Sequence, residues 1–310
     1  MPMQQSYAPA QRSPMQDLKS EVPHILVLVG LLLILLVILT RYKWIHCSEV
    51  VKFGPVNIPT NWCQFYCENL HGPGSNIAIV YGDDGIGDPN LLYNKIQAVR
   101  PYAVPVMIKI SDFAYSGLKN FDLVIVEKAR RLTPTQANAI ASYMTTGGTL
   151  VWVGDSGTEF YISDEERQEA LRLNGTRPGY YENYVKVLNW TNSVGFGPVL
   201  SSYLGVKFQD VQNGSGRMSV QRIDKYNLLT SGLADEITFE RPGKFARVTF
   251  DQSRAFMAAK LVSSDGNESY PAIVETRNVR KLVSVYFAFP PEKSPSNALF
   301  ANLFDYVVLC

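Results

Sequence analysis

The chain has 310 residues, 29 of them Lys or Arg and 28 Asp or Glu, for a net charge of +1. This balance gives no basic field for nucleic acid, and the composition is that of a globular chain rather than a fibrous or disordered one. The length is enough for one large core or two smaller ones.

Residues 1–21 are rich in Gln, Ser, Pro and Met and read as a disordered tail. Residues 22–40 then carry no charge and are mostly Leu, Ile and Val, and Arg41, Lys43 and Trp44 close the run. At 1.5 Å per residue such a run crosses a bilayer core. A helix is the expected form, because backbone groups in lipid must be satisfied internally. The run is long for the apolar part of a cleaved signal, and no small-x-small site follows it. Trp44-Ile45-His46-Cys47 is a poor lipobox, since His46 is not small. The expectation is an uncleaved, single-pass membrane anchor.

Charge leaves the orientation open, with Arg12 and Lys19 before the run and Arg41, Lys43 and Lys52 after it. Two features point outward. Glycosylation sequons begin at Asn174, Asn189, Asn213 and Asn267, all beyond the anchor. Cys47, Cys63, Cys67 and Cys310 form an even set, three of them close to the membrane, without zinc spacing. An extracellular C-terminal domain with disulfides is expected, and the pairing stays open.

Residues 41–75 read as a juxtamembrane connector, punctuated by Gly54-Pro55, Ile58-Pro59 and Gly72-Pro73-Gly74. From residue 76 the rhythm is that of a folded domain. Ile77–Tyr81 is a buried-type strand, and Asp88-Pro89 opens a helix with Leu92, Ile96 and Val99 on one face. Val104–Ile110 and Phe121–Val126 are further strands. Thr133-Pro-Thr-Gln136 is a capping box before a helix that stops at Gly147-Gly148, and Thr149–Val153 follows as a strand. Strands alternating with helices in this way predict an α/β fold, a doubly wound and mostly parallel sheet. Asp164–Leu173 is a charged helix. Residues 174–215 read as a Tyr-rich insertion, with Tyr180, Tyr181, Tyr184, Trp190, Phe196 and Tyr203 more apt to roof the sheet than to face solvent. Strand-like pieces at 245–250, 256–262, 272–275 and 282–289 precede a helix capped by Ser294, with Leu299, Phe300, Leu303 and Phe304 as its apolar stripe.

The series "IAIVYGDD", "FDLVIVEKARRLTPTQANAIASYMTTGGTLVWVGDSG", "YNLLTSGL", "PAIVE" and "VYFAFPPEKSPSNALFANLFDYVV" resembles the class I glutamine amidotransferase-like superfamily, in its trehalose-utilisation-like branch. The resemblance covers about residues 76–309 and implies the fold. In catalytic members a Cys stands on the turn after the strand matching Thr149–Val153, and a His and a Glu follow a late strand. Here the turn is Gly154-Asp155-Ser156-Gly157, and the late strand ends Phe289-Pro290-Pro291-Glu292. The three histidines are His24, His46 and His71, all before the domain. A thiol nucleophile needs a base within hydrogen-bond reach, so the resemblance argues against glutaminase chemistry in this chain. Asp155 and Ser156 are the weak catalytic candidates. Ser156 lacks the second Gly of a nucleophile elbow, because residue 158 is Thr158, and capping the next helix is its simpler role.

Ligands of open α/β sheets bind outside the carboxyl ends of the strands. Asp83, Asp84, Glu127 and Asp155 stand at those ends. Hard oxygen donors suit Mg²⁺ or Ca²⁺, although no cofactor is specified, and turn or cap chemistry explains the same residues. The leading expectation is a non-catalytic membrane-anchored domain that binds a cell-envelope carbohydrate or a partner protein. The alternatives are a carboxylate- or metal-dependent carbohydrate hydrolase at the sheet edge, and an accessory subunit of a membrane complex.

Overall fold

The computed structural model describes residues 14–41, 65–66, 70, 77–100, 104–113, 115–179, 195–214, 217–224, 227–230, 233–239, 243–263, 268–278 and 281–307. Cys47, Cys63, Cys67, Cys310, Asn189, Asn267, Tyr180, Tyr181, Tyr184 and Trp190 lie outside these residues.

Helix α1 runs Pro14–Arg41 and belongs to a compact unit separate from the elements that follow. It begins ahead of the apolar run, because once a helical nucleus exists each added residue gains a hydrogen bond. Its span Val22–Leu39 is long and apolar enough to cross a membrane, and none of that span is buried against protein. Leu26, Val27, Leu28 and Leu31 are all more than 60 % exposed. A helix apolar on every side with none of its span buried is suited to lipid.

The domain is built on a nine-stranded sheet in the order β2-β1-β3-β5-β13-β12-β11-β8-β9. Strands β1 (Ile77–Asp84), β2 (Val106–Lys109), β3 (Leu123–Ala129), β5 (Thr149–Val153) and β13 (Lys281–Phe287) are mutually parallel. Their continuous apolar sequences follow from burial on both faces. Helices α2 (Pro89–Val99), α4 (Pro134–Thr145) and α7 (Ala298–Val307) cover them, and α3 (Tyr115–Leu118) is a single turn ahead of α4. The period of two along each strand sorts the core into two layers. Ile77, Ile79, Leu123, Ile125, Val151 and Val153 pack with Leu92 and Ile96 of α2 and with Leu299, Phe300, Leu303 and Phe304 of α7. Ala78, Val80, Val124, Val126, Leu150 and Trp152 pack with Ile140, Tyr143 and Met144 of α4.

Two helix starts follow the expected cap chemistry, whereas Ser294 closes the 3₁₀ turn Pro291–Lys293 and lies four residues ahead of α7. The Asp88 carboxylate accepts from the Asn90 and Leu91 N–H groups at 3.1 and 3.2 Å. Thr133 and Gln136 cap one another reciprocally at 3.3 and 2.9 Å, and Gln136 Nε2 also donates to the Ile110 carbonyl at 2.7 Å. The cap therefore also ties α4 to the loop after β2.

Beyond β13 the sheet turns antiparallel through β12 (Ser269–Asn278), β11 (Ala255–Ser263), β8 (Met218–Arg222) and β9 (Glu236–Phe239). A separate ribbon pairs β7 (Val206–Asn213) with β10 (Lys244–Phe250), and β4 (Arg131–Leu132) pairs briefly with β6 (Glu159–Phe160). The segment read as an insertion thus contributes α6 (Gly197–Leu204) and β7. Helix α5 (Asp164–Thr176) precedes it, capped by Ser163. Phe196 is fully buried, edge-on to Trp152 at 6.4 Å and to Tyr286 and Phe208 at 5.7 Å each. This aromatic roofs the sheet.

Candidate functional site

The sheet order reverses at β1, which pairs with β2 on one side and β3 on the other. The crevice for a ligand in such folds lies at the carboxyl ends of the strands flanking that reversal. Here the loop after β1 fills it. Gly85 and Gly87 hold φ of 131° and 123°, values open to glycine, and this lets the chain double back over the strand ends. Ile86, between them, is 3 % exposed. Its N–H donates to Asp155 Oδ1 at 2.7 Å, and its carbonyl accepts from Lys128 N–H at 3.1 Å. Lys128 has a φ of 53°, the one positive value on a non-glycine among the described residues. That left-handed residue accompanies a register irregularity where Asp84 pairs with Ala129.

The four carboxylates of the sheet edge divide into separate groups. Asp83 is 81 % exposed at its side chain and pairs with Lys109 at 3.1 Å. Arg130 joins two others: its Nε donates to Asp155 Oδ2 at 2.7 Å and its Nη1 lies 3.5 Å from Asp84 Oδ2. Asp155 is wholly buried. Glu127 is also wholly buried and shares no bonded partner with these three. At the turn after β5, Ser156 is buried, its Oγ accepts from the Ala129 N–H at 3.3 Å, and its carbonyl accepts from Trp152 Nε1 at 2.7 Å. Both residues of the elbow are thereby bound into the fold.

Glu127 instead faces a carboxyl that the sequence reading passed over. Glu292 lies in the 3₁₀ turn Pro291–Lys293 that follows β13, 2 % exposed, and its Oε1 accepts from the Asp88 N–H at 3.1 Å. As ionised carboxylates both Glu127 oxygens and Glu292 Oε2 are buried without a donor of good geometry, and the two side chains and the Asp88 N–H act on one another at hydrogen-bonding range. Burial pushes the Glu127 carboxyl well above the usual carboxylate range, and the Glu292 charge pushes it further. Burial likewise raises Glu292, to about 7. Gly87 packs directly on the Glu127 side chain, for a Cβ there would lie 2.1 Å from Glu127 Oε1. The signal for Glu292 was present in the sequence, as a carboxylate straight after a late strand. It stands at the place where the resemblance implies a His.

These shifts set a pH dependence. The folded domain holds protons on the pair that the unfolded chain, with an ordinary value of 4.5, has released. The stability they contribute is complete below that ordinary value and is lost as pH rises through the folded value. The melting temperature should fall between about pH 5 and pH 8, and Glu292→Gln should flatten that decline. A wild-type melting temperature that is flat over this range would contradict the burial of the pair.

Of the remaining sequence-derived positions, Asn174 lies in α5, half-buried, and Asn213 is exposed at the end of β7. Tyr203 in α6 is half-buried.

No family model matches the chain, and no curated protein matches it. Solved structures do. A β-galactosidase from Rahnella sp. R3 superposes with a TM-score of 0.53 at 16 % identity, over 76 % of this chain and 32 % of that one. A ThuA-like protein from Bacteroides uniformis ATCC 8492 superposes with a TM-score of 0.50 at 12 % identity, over 78 % of this chain and 95 % of that one. A β-galactosidase from Halorubrum lacusprofundi gives 0.50 at 14 % identity, over 75 % and 30 %. The chain thus spans about a third of the length of these β-galactosidases. At such identities the likeness is one of fold, and the fold is ThuA-like, of the glutamine amidotransferase type.

Proposed function

We propose that this protein is a single-pass membrane-anchored, amidotransferase-like domain that works by binding rather than by catalysis. The observation that carries the reading is the state of the elbow after β5. Asp155 is buried and committed to the Ile86 N–H and Arg130, and Ser156 is buried and committed to Ala129. A nucleophile must reach its substrate and a base, and neither side chain is free to do so. α1 is read as an uncleaved anchor, with the domain outside the cell.

The ligand class we favour is an envelope carbohydrate or a neighbouring envelope protein. Phe256 on β11 is 60 % exposed, with the Arg277 guanidinium 5.9 Å from its ring centre. A flat apolar face beside a cation stacks on sugar rings or anchors a partner's side chain. A carboxylate-dependent hydrolase is the second reading, favoured by the Glu127–Glu292 pair and opposed by the burial of both residues.

The test uses the full chain in detergent. Ammonia release from glutamine and p-nitrophenol release from aryl glycosides should stay at buffer level. Retention on isolated envelope polysaccharide should fall about tenfold in Phe256→Ala, roughly 1.4 kcal/mol. Turnover that is abolished by Glu127→Gln would replace the binding reading with the hydrolase.

A further inference from the structure

The sequons at Asn174 and Asn213 share one motif, but the fold treats them differently. Asn174 stands in the last turn of α5, half-buried, and the hydroxyl of Thr176 in the same sequon donates to the Leu173 carbonyl at 3.0 Å. Residues two apart on a helix face away from one another, so this Asn and its hydroxyl meet only if the helix end unwinds. Asn213 is exposed, on the last rung of the β7–β10 ribbon opposite Lys244. The Gly214 N–H closes the ribbon's end on the Gly243 carbonyl at 2.8 Å. Asn213 and Lys244 are both exposed because the ribbon outruns the core: Val211, two residues back, is the last apolar residue of β7 packed on it. Among the described residues no side-chain bond holds the Asn213 carboxamide. A group attached there displaces no contact and extends into solvent.

The same residue lies on a strand edge that needs cover. β7 pairs with β10 on one side, and among the described residues no strand pairs with its other side. An unpaired strand edge is a template for another chain. The near half of β7 is blunted by the charges of Lys207 and Asp210 and by the register irregularity opposite Arg247 and Val248. The far half, Val211, Gln212 and Asn213, carries neither a charge nor a bulge. An oligosaccharide on Asn213 supplies the missing obstacle, because it is bulky and strongly hydrated.

We propose that Asn213 is a site of N-linked glycosylation and that its glycan shields the open edge of β7. The inference rests on the reading that the domain lies outside the cell. The donor is an oligosaccharide carried on a membrane polyprenyl phosphate or pyrophosphate, and a separate membrane transferase brings it to the chain. The bond from the sugar's anomeric carbon to the phosphate oxygen breaks, and a bond from that carbon to Asn213 Nδ2 forms. The proton leaving Nδ2 ends on the released phosphate, and nothing is oxidised or reduced. Ser215 supplies the hydroxyl that the acceptor sequence requires.

The full chain is isolated from membranes of the cells that make it, and intact cells of the same batch are treated with protease. Trypsin cuts after Lys207 and Arg217, so Asn213 is read on the peptide 208–217 by mass spectrometry. That peptide should be lost at its unmodified mass and replaced by heavier forms that release sugar fragments, while Asn174 stays unmodified. Asn213→Gln and, independently, Ser215→Ala should each abolish the heavier forms and keep the wild-type melting temperature. By light scattering both variants should associate in detergent at concentrations where the wild type stays dispersed. An unmodified peptide 208–217, or modification of Asn174 in its place, from a domain that protease cuts on intact cells overturns the proposal alone. A domain cut only after lysis overturns the outside reading, and the proposal with it. A glycan on Asn213 whose loss leaves association unchanged overturns the shielding role.

Discussion

Asp155→Ala should destabilise the domain by about 3–5 kcal/mol, the cost of removing one partner from a buried ion pair. Asp155 is wholly buried and holds two donors, the Ile86 N–H and Arg130 Nε, both at 2.7 Å. Alanine leaves both without an acceptor. The Arg130 guanidinium, a quarter exposed, would keep only its longer contact with Asp84 at 3.5 Å. For a domain of this size the loss is worth roughly 2–4 °C of melting temperature per kcal/mol. Asp155→Asn should fall between the two, because it keeps one acceptor for Ile86 and turns an amide or a neutral oxygen toward Arg130. Urea unfolding of the three proteins measures this directly. A loss below about 1 kcal/mol for Asp155→Ala would mean that the loop after β1 is not pinned to the elbow, and the sealed-elbow argument would fall with it.

Gly87→Ala should be the most damaging of the conservative substitutions, at about 3–5 kcal/mol. Two independent faults add. The residue holds φ of 123°, which an L side chain rarely adopts. The new methyl would also sit 2.1 Å from Glu127 Oε1 and 2.4 Å from Glu127 Cγ. Glu127 is buried and has no room to retreat, so overpacking is not relieved by a rotamer change. Gly117→Ala is the control. A Cβ there meets nothing within 4 Å, and the change should be neutral within about 0.5 kcal/mol. Equal stability of the two variants would show that the approach of the loop to Glu127 is looser than described.

The legibility of the fold varied along the chain for physical reasons. The parallel half is written in local chemistry. Ile77–Tyr81 and Thr149–Val153 are continuous apolar runs, and Asp88 and the Thr133/Gln136 box mark helix starts that the structure reproduces bond for bond. The antiparallel half is not. β8 and β9 are five and four residues long, carry charged residues at their ends, and are defined by pairing across long separations rather than by their own pattern. β7 was hidden in a segment rich in Tyr, Gly and Asn, although Phe196 already carried the aromatic bulk expected of a roof.

The site shows the same division. Sequence placed Asp83, Asp84, Glu127 and Asp155 at strand ends, because strand ends are local. It had no means of assigning their partners. Whether an acid at a strand end meets Lys109, Arg130 or another acid depends on which loop folds over it, and that is a long-range matter. Glu127 and Glu292 are separated by ten strands in sequence order, β4 to β13, and meet because β13 joins the parallel block beside β5.

By itself, then, the sequence determined the apolar N-terminal helix, the α/β class, and that residues 72–310 hold no His and the turn after Thr149–Val153 no Cys, since length, periodicity and residue identity decide each. The tertiary structure alone decided that the elbow after β5 is closed by Ile86, that Arg130 binds Asp155, and that Glu127 faces Glu292. The physical reason is burial. A carboxylate's chemistry is set by whether water, a cation or another acid lies against it, and only the packed chain assigns that neighbour.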